Sequence, residues 1–211
     1  MALLKYYQMN GGYVLDQFRT HFLISVYGVL FAAIVAIPIG FLIARHSRLA
    51  GWVISLANII QTIPSLAMLS LLMVGMGLGT GTVIMTVFLY SMLPILKNTY
   101  TAVSNVDKNL LDVAKGVGMT RGQIRLKVEV PLSLSVIMAG IRNAIVIAIG
   151  ITAIGTFIGA GGLGDIISRG INVIDGSAII WAGALPTALM AVISDLVLGK
   201  LEKRLANWHT S

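Results

Sequence analysis

Long apolar runs separated by short polar breaks follow one another along this chain, a pattern that predicts membrane-spanning helices. A helix needs about 20 apolar residues to cross the hydrocarbon core of a bilayer. Five runs approach or exceed that length, and they extend from about Phe22 to Ala44, Trp52 to Val74, Thr82 to Leu96, Leu132 to Phe157 and Ile179 to Leu198. We therefore expect an all-α, polytopic membrane protein of about five spans.

The composition of the 211 residues agrees with a membrane domain, since 57% are hydrophobic and 11% are charged. A soluble domain carries about 25% charged residues, and a disordered chain has far less apolar surface. The lack of cysteine excludes disulfides, thiolate nucleophiles and cysteine-based metal sites. His21, His46 and His209 are scattered along the chain, so we expect no metal site and no hydrolase constellation.

The net charge of +7 is distributed unevenly between the two predicted membrane faces. Lys5, Arg19 and Arg169 lie on one face and Arg142 lies within a span, whereas 11 of the 15 basic residues lie on the other face. Because basic residues accumulate on the cytoplasmic side, we expect the N-terminus outside and the C-terminus inside. The charge is then topological, and no nucleic-acid partner is expected. The inside residues are Arg45, Arg48, Lys97, Lys108, Lys115, Arg121, Arg125, Lys127, Lys200, Lys203 and Arg204.

These assignments divide the chain into three parts. Residues 1–20 form an amphipathic segment at the outer surface, residues 21–205 form the transmembrane domain, and residues 206–211 form a tail. Within the transmembrane domain, residues 98–130 form a cytoplasmic loop that holds most of the charge.

Apolar residues recur at helical spacing inside this loop, and two glycines then end the predicted helix. Two interpretations are open: a solvated amphipathic hairpin on the bilayer surface, or a docking element for a cytoplasmic partner. The residues of the candidate docking element are Leu110, Leu111, Asp112, Val113, Ala114, Lys115, Gly116, Gly118, Met119 and Thr120.

The spacing within the loop resembles the EAA loop of ABC-importer permeases. Asp112-Val113-Ala114 is followed by three residues, Gly118, nine residues and Val128-Glu129-Val130-Pro131. The family pattern is Glu-Ala-Ala-x3-Gly-x9-Ile-x-Leu-Pro, so the spacing fits throughout and four residues depart conservatively. The resemblance implies that the loop contains a coupling helix, which fits a groove of a cytoplasmic ABC ATPase dimer.

Three further stretches, residues 58–67, 90–100 and 157–165, resemble the permeases of bacterial osmoprotectant importers. This resemblance implies a type I ABC importer permease fold in the bacterial cell membrane and import of glycine betaine, carnitine, choline or proline betaine. It also implies a second permease copy or paralogue and an extracytoplasmic substrate-binding protein. The alternatives are an ABC permease for another small solute, such as an amino acid, and a stand-alone secondary carrier or channel.

Neither of two nucleotide-binding patterns supports a nucleotide site in this chain. The sequence has no Walker A motif, so ATP should be bound and hydrolysed by the partner, and this non-catalytic subunit needs no cofactor of its own. Gly159 to Gly164 satisfies the dinucleotide pattern G-x-G-x-x-G but follows a predicted span rather than a strand. We expect a close-packed turn there, and a role in an external gate is the alternative.

Polar residues inside the spans give the candidates for the translocation path. Arg142 is costly in a bilayer, so we expect an ion pair with Asp195, exposure to the path, or snorkelling to the headgroups. Pro64 bends the second span, and its polar neighbours line the path or bond to an adjacent helix. The path candidates are Gln61, Thr62, Pro64, Ser65 and Arg142.

Overall fold

The computed structural model describes residues 2–207, and within that range it contains helices and no strand. The α-helices are α1 (Ala2–Ile43), α2 (Ser47–Thr62), α3 (Ser65–Met76), α4 (Thr80–Ser104), α5 (Lys108–Gly116), α6 (Arg121–Ile124), α7 (Val130–Ile154), α8 (Leu163–Ile171) and α9 (Ser177–Asn207). A π-helical segment, Arg125–Glu129, joins α6 to α7, and a 3-10 turn, Gly155–Ile158, follows α7. The end of the predicted tail, residues 208–211 with His209, lies outside the described residues.

Four helices are long and apolar enough to cross a membrane, and the count becomes five if the bent pair α2 and α3 is one span. The all-α, polytopic prediction is therefore confirmed. The second predicted span is not a single straight helix, because α2 and α3 meet at 97°. Pro64 has no N–H to donate and disfavours the helical conformation of Ile63, which is extended at φ −69° and ψ 127°.

The core forms around α4, which packs between α1 and α7. Small residues allow these helices to approach closely. A Cβ on Gly40 of α1 would lie 2.6 Å from Thr99, and a Cβ on Gly140 of α7 would lie 2.9 Å from the carbonyl oxygen of Pro94. Ala36 and Ala32, one and two turns before Gly40, are fully buried. These small residues therefore serve helix packing.

Helix α1 runs from one end of the bundle to the other. Gln17, in its first half, contacts Gly162 at the start of α8, and Arg45, just beyond its last turn, contacts Glu129 beside α7. We call these two ends the α8 end and the α5 end. Predicted segment 1–20 is continuous with the first span in α1, with a non-helical residue at Asn10.

Helix α4 extends beyond the predicted end of its span at Leu96 and reaches Ser104. Thr99, Ala102 and Val103 are buried in this extension, which keeps the chain helical past Lys97. The polar connection at the α5 end therefore begins after Ser104.

Candidate functional site

Helix α5 is a short helix with a defined cap at each end. The Asp107 side chain accepts a hydrogen bond from the Asn109 N–H at 2.9 Å, which caps the N-terminus. At the C-terminus, Met119 N–H donates to Ala114 O at 3.1 Å and Gly118 N–H donates to Lys115 O at 2.9 Å. This is a Schellman motif with Gly118 at the left-handed position, φ +82°.

One exposed face of α5 is apolar. Leu110, Val113 and Val117 are all exposed, with Val113 at 65%, whereas Ala114 between them is buried against the protein. Three exposed apolar side chains on one helical face are compatible with both interpretations of the loop, contact with the bilayer surface and docking of a partner. We call Leu110, Val113 and Val117 the α5 surface.

The segment after α5 is tied to the end of α1. Thr120 and Gln123 form a reciprocal capping box that starts α6. The Arg45 Nη2 then donates to both carboxylate oxygens of Glu129, at 2.8 and 3.0 Å, and Glu129 is 4% exposed. This charge-assisted contact, in which one guanidinium nitrogen donates to both oxygens of a buried carboxylate, holds the connection against the bundle.

The bend between α2 and α3 is braced by α4. Gln61 Nε2 donates to the carbonyl oxygen of Tyr90 at 3.0 Å, and the Tyr90 hydroxyl donates back to the carbonyl oxygen of Ile63. Thr62 Oγ1 donates to Ile59 O at 2.7 Å within α2. Thr62 and Pro64 are exposed, and Gln61 and Ser65 are half-buried. The bend therefore presents polar groups at the surface while two hydrogen bonds fix its shape.

Arg142 of α7 lies in a cluster of two carboxylates from α9. Its Nε and Nη2 donate to the two oxygens of Asp195 at 2.5 and 2.8 Å, and its Nη1 donates to Glu202 Oε2 at 3.2 Å. A Cβ on Gly199 would lie 3.2 Å from Arg142 Nη1, so glycine leaves room for the guanidinium. Of the three environments expected for Arg142, the structure contains the ion pair with Asp195, and Glu202 is a second carboxylate partner.

The glycine turn of residues 159–164 is a packed junction between α1, α7 and α8. Gly162 N–H donates to Gln17 Oε1 at 2.6 Å, and Leu163 N–H donates to His21 Nδ1 at 3.2 Å. Because Nδ1 accepts, His21 carries its proton on Nε2, which donates to Ile149 O at 3.0 Å. A Cβ on Gly164 would lie 2.0 Å from the Ala153 carbonyl oxygen. This packing favours the close-packed turn.

The structure groups the candidate residues in separate places. The docking-element residues lie together at the α5 end, the four candidates of residues 61–65 lie at the α2–α3 bend, and Arg142 lies with α9.

Several residues that contribute to these sites were not predicted from the sequence. Glu202 follows Asp195 by two helical turns, so its position could have been noticed in the sequence, whereas Glu129 lies in the charged loop and nothing in the sequence indicates its burial. The contacts of Gln17 and Tyr90 depend on tertiary packing, so no signal in the sequence indicates them.

Comparison with known proteins gives the family. Residues 36–207 match the family described as "Binding-protein-dependent transport system inner membrane component". The "Carnitine transport permease protein OpuCD" of Listeria monocytogenes is 64% identical over 96% of this chain and 91% of its own length. The "Glycine betaine/carnitine/choline transport system permease protein OpuCD" of Bacillus subtilis is 65% identical over 95% of this chain and 88% of its own length.

A third relative is the "Choline transport system permease protein OpuBD" of Bacillus subtilis, 59% identical over 97% of this chain and 90% of its own length. Among solved structures, an inward-facing conformation of the MetNI methionine ABC transporter is similar, with a TM-score of 0.81 at 18% identity. The similarity covers 92% of this chain and 96% of that chain and shows a common fold, the type I ABC importer permease fold. This chain is thus an integral membrane permease subunit that belongs to the family of inner membrane components of binding-protein-dependent transport systems.

Proposed function

We propose that this chain is the permease subunit of an ABC importer for quaternary-ammonium osmoprotectants. The observation that carries the proposal is the identity of 59–65%, over nearly the whole chain, to three permeases whose names specify carnitine, choline or glycine betaine. Each of these compounds carries a trimethylammonium group, so the shared chemistry of the substrates is a bulky, permanent cation. Proline betaine, a dimethylammonium compound, belongs to the same proposed range.

The α5 surface supports coupling to a cytoplasmic ABC ATPase dimer. Its exposed apolar side chains lie on a short helix with capped ends, which can transmit motion as a rigid body. In the proposed cycle, ATP closes the ATPase dimer, the docked helices move, and two permease halves rock from inward- to outward-open. The second half is another copy of this chain or a paralogue, and a binding protein delivers substrate at the α8 end.

The proposed orientation follows the basic residues. Arg45, Lys115 and Arg121 lie at the α5 end, whereas Arg169 lies in α8. Because basic residues accumulate on the cytoplasmic side, the α5 end faces the cytoplasm and the α8 end faces outward.

The α2–α3 bend is the proposed lining of the translocation path. Thr62 and Pro64 are exposed at this break between two helices. Interrupted helices of this kind line substrate routes in transporters. Arg142 is a weaker candidate, because two carboxylates already occupy its guanidinium.

The test is uptake by proteoliposomes that contain this chain, its ATPase and its binding protein. We expect ATP-dependent uptake of radiolabelled glycine betaine, carnitine or choline, and no flux through the chain alone. A matched control complex carries an ATPase with its catalytic glutamate changed to glutamine. Uptake of an amino acid with none of the quaternary-ammonium compounds would contradict the substrate class. Flux without the ATPase would contradict the importer and indicate a secondary carrier or channel.

A further inference from the structure

A cavity of about 420 Å³ lies between the end of α1, helix α5 and helix α6. It lies on a side of α5 other than the α5 surface, because Leu111 and Lys115 line it. Six residues form its wall: Arg45, Leu111, Lys115, Met119, Arg121 and Ile124. Leu111, Lys115 and Met119 belong to the candidate docking element, but the proposed coupling uses the α5 surface and assigns no role to the cavity itself.

Three of the six lining side chains are cations, and no acidic side chain lines the cavity. Lys115 pairs with Asp112 at 2.8 Å, but both are exposed, at 64% and 70%, so the pair is weak and readily exchanged. Arg121 has no ion-pair partner in the part of the chain that the structure describes. Glu129 binds Arg45 through Nη2 alone, which leaves the other guanidinium donors for an anion. The cavity therefore has donors for a negatively charged group.

The position of the cavity indicates where such an anion comes from. Arg45 lies two residues after the end of the apolar helix α1, and the flanking side chains Leu42, Leu49 and Trp52 are all exposed. Tryptophan beside the end of a span is typical of the headgroup level of a bilayer. A phosphate held by Arg45 thus has apolar side chains beside it that can contact acyl chains.

We propose that this cavity binds the phosphate headgroup of an anionic phospholipid from the adjacent leaflet. Arg45 and Arg121 donate to the phosphodiester oxygens, for which the guanidinium geometry is well suited, and Lys115 adds a third charge. Leu111, Met119 and Ile124 contact the glycerol and the first methylene groups. Basic pockets on the cytoplasmic side of membrane helices bind acidic lipid headgroups, and this cavity has a basic lining beside the end of α1. The bound lipid joins α1 to α5 and α6, and this inference does not depend on the transported substrate.

The experiment measures lipid binding to the purified full chain by native mass spectrometry. The chain is titrated with phosphatidylglycerol and, separately, with phosphatidylcholine of the same acyl chains. We expect one tight phosphatidylglycerol site and no comparable phosphatidylcholine site. Each of Lys115→Gln and Arg121→Gln should weaken that site roughly fivefold, and the double variant about thirtyfold. Arg121→Lys, which keeps the charge but loses the planar guanidinium, should bind more tightly than Arg121→Gln and less tightly than the unchanged chain.

The matched control is Arg125→Gln, which removes the same charge from an exposed residue that does not line the cavity. It should leave phosphatidylglycerol binding unchanged within about twofold. Circular dichroism melts show whether each variant remains folded.

Four outcomes would overturn the proposal. The first is that Arg125→Gln and the double variant lose phosphatidylglycerol binding equally, and the second is that phosphatidylcholine binds as tightly as phosphatidylglycerol. The third is displacement of the lipid by millimolar glycerol 3-phosphate, which would indicate a site for a soluble phosphate. The fourth is loss of the lipid site when the ATPase is bound, which would indicate that acidic residues of the ATPase occupy the cavity.

Discussion

A single left-handed residue controls how α5 ends. Gly118 has φ +82°, and a Cβ there would meet no atom within 4 Å, so its requirement is conformational rather than steric. Gly116 has equally open surroundings but lies in the helix. The two glycines therefore respond to the same substitution in opposite directions.

We predict that Gly118→Ala weakens retention of the ATPase, because alanine costs about 1–2 kcal/mol in the left-handed conformation. Gly116→Ala should be neutral or stabilising, since alanine favours the helix by up to about 1 kcal/mol. Co-purification of the ATPase from membranes measures both variants. Equal retention by the two would contradict the role of the Gly118 turn.

The Arg142 cluster gives a second prediction. Asp195→Asn should sharply reduce the yield of monodisperse protein, because it removes the bidentate partner of a cation within a span. Glu202→Gln, which removes a single contact at 3.2 Å, should cost less. The measurement is size-exclusion chromatography after equal expression.

The double variant Arg142→Gln, Asp195→Asn is the control for this cluster. It should recover part of the yield lost in Asp195→Asn, because the unpaired cation is gone. No recovery, or equal losses for Asp195→Asn and Glu202→Gln, would count against the ion pair as a structural element.

The cost of an intramembrane arginine could be predicted from sequence, and so could Asp195 as its partner. The role of Glu202 could have been inferred, since its spacing of two helical turns from Asp195 brings both acids to one face. Glu129 was harder to interpret. Its burial depends on Arg45, which is distant in sequence and comes close only through packing of α1 against α7.

At the level of helices, the α2–α3 bend depends on α4. The Tyr90 hydroxyl bonds to the carbonyl of Ile63, a group that the bend leaves without a helical partner. Tyr100 lies on the same helix and makes no side-chain hydrogen bond within residues 2–207.

We predict that Tyr90→Phe lowers the melting temperature of the permease in detergent and reduces uptake. The lost hydrogen bond is worth about 1 kcal/mol, and the carbonyl of Ile63 loses its partner. Tyr100→Phe is the matched control and should change neither property. Equal effects of the two substitutions would show that the hydroxyl of Tyr90 does not brace the bend.

Apolar length predicted the positions of the helices, but it could not give their exact ends or angles. The break at Pro64 follows from local backbone chemistry, whereas the 97° angle is determined by contacts with α4. Likewise, the extension of α4 to Ser104 depends on burial of Thr99 and Val103 against the bundle, which a polar stretch of sequence does not indicate.

At the scale of the whole molecule, two features of the sequence predicted the family: the apolar runs and the EAA-like spacing around Gly118. They were sufficient because a coupling helix needs small residues and a turn at particular positions, and these constraints remain visible along the chain. The cavity at the α5 end was not visible, since Arg45 and Arg121 meet only in the folded protein.

The most direct test of the account is photo-cross-linking from single cysteines, which the cysteine-free chain makes straightforward. A benzophenone label is placed at Val113→Cys on the α5 surface or at Ile174→Cys beyond α8, residues that are 65% and 93% exposed. In a complex that still transports, we predict cross-links to the ATPase from Val113→Cys and none from Ile174→Cys. Cross-links from Ile174→Cys alone, or from neither residue, would contradict the assignment of α5 as the coupling helix.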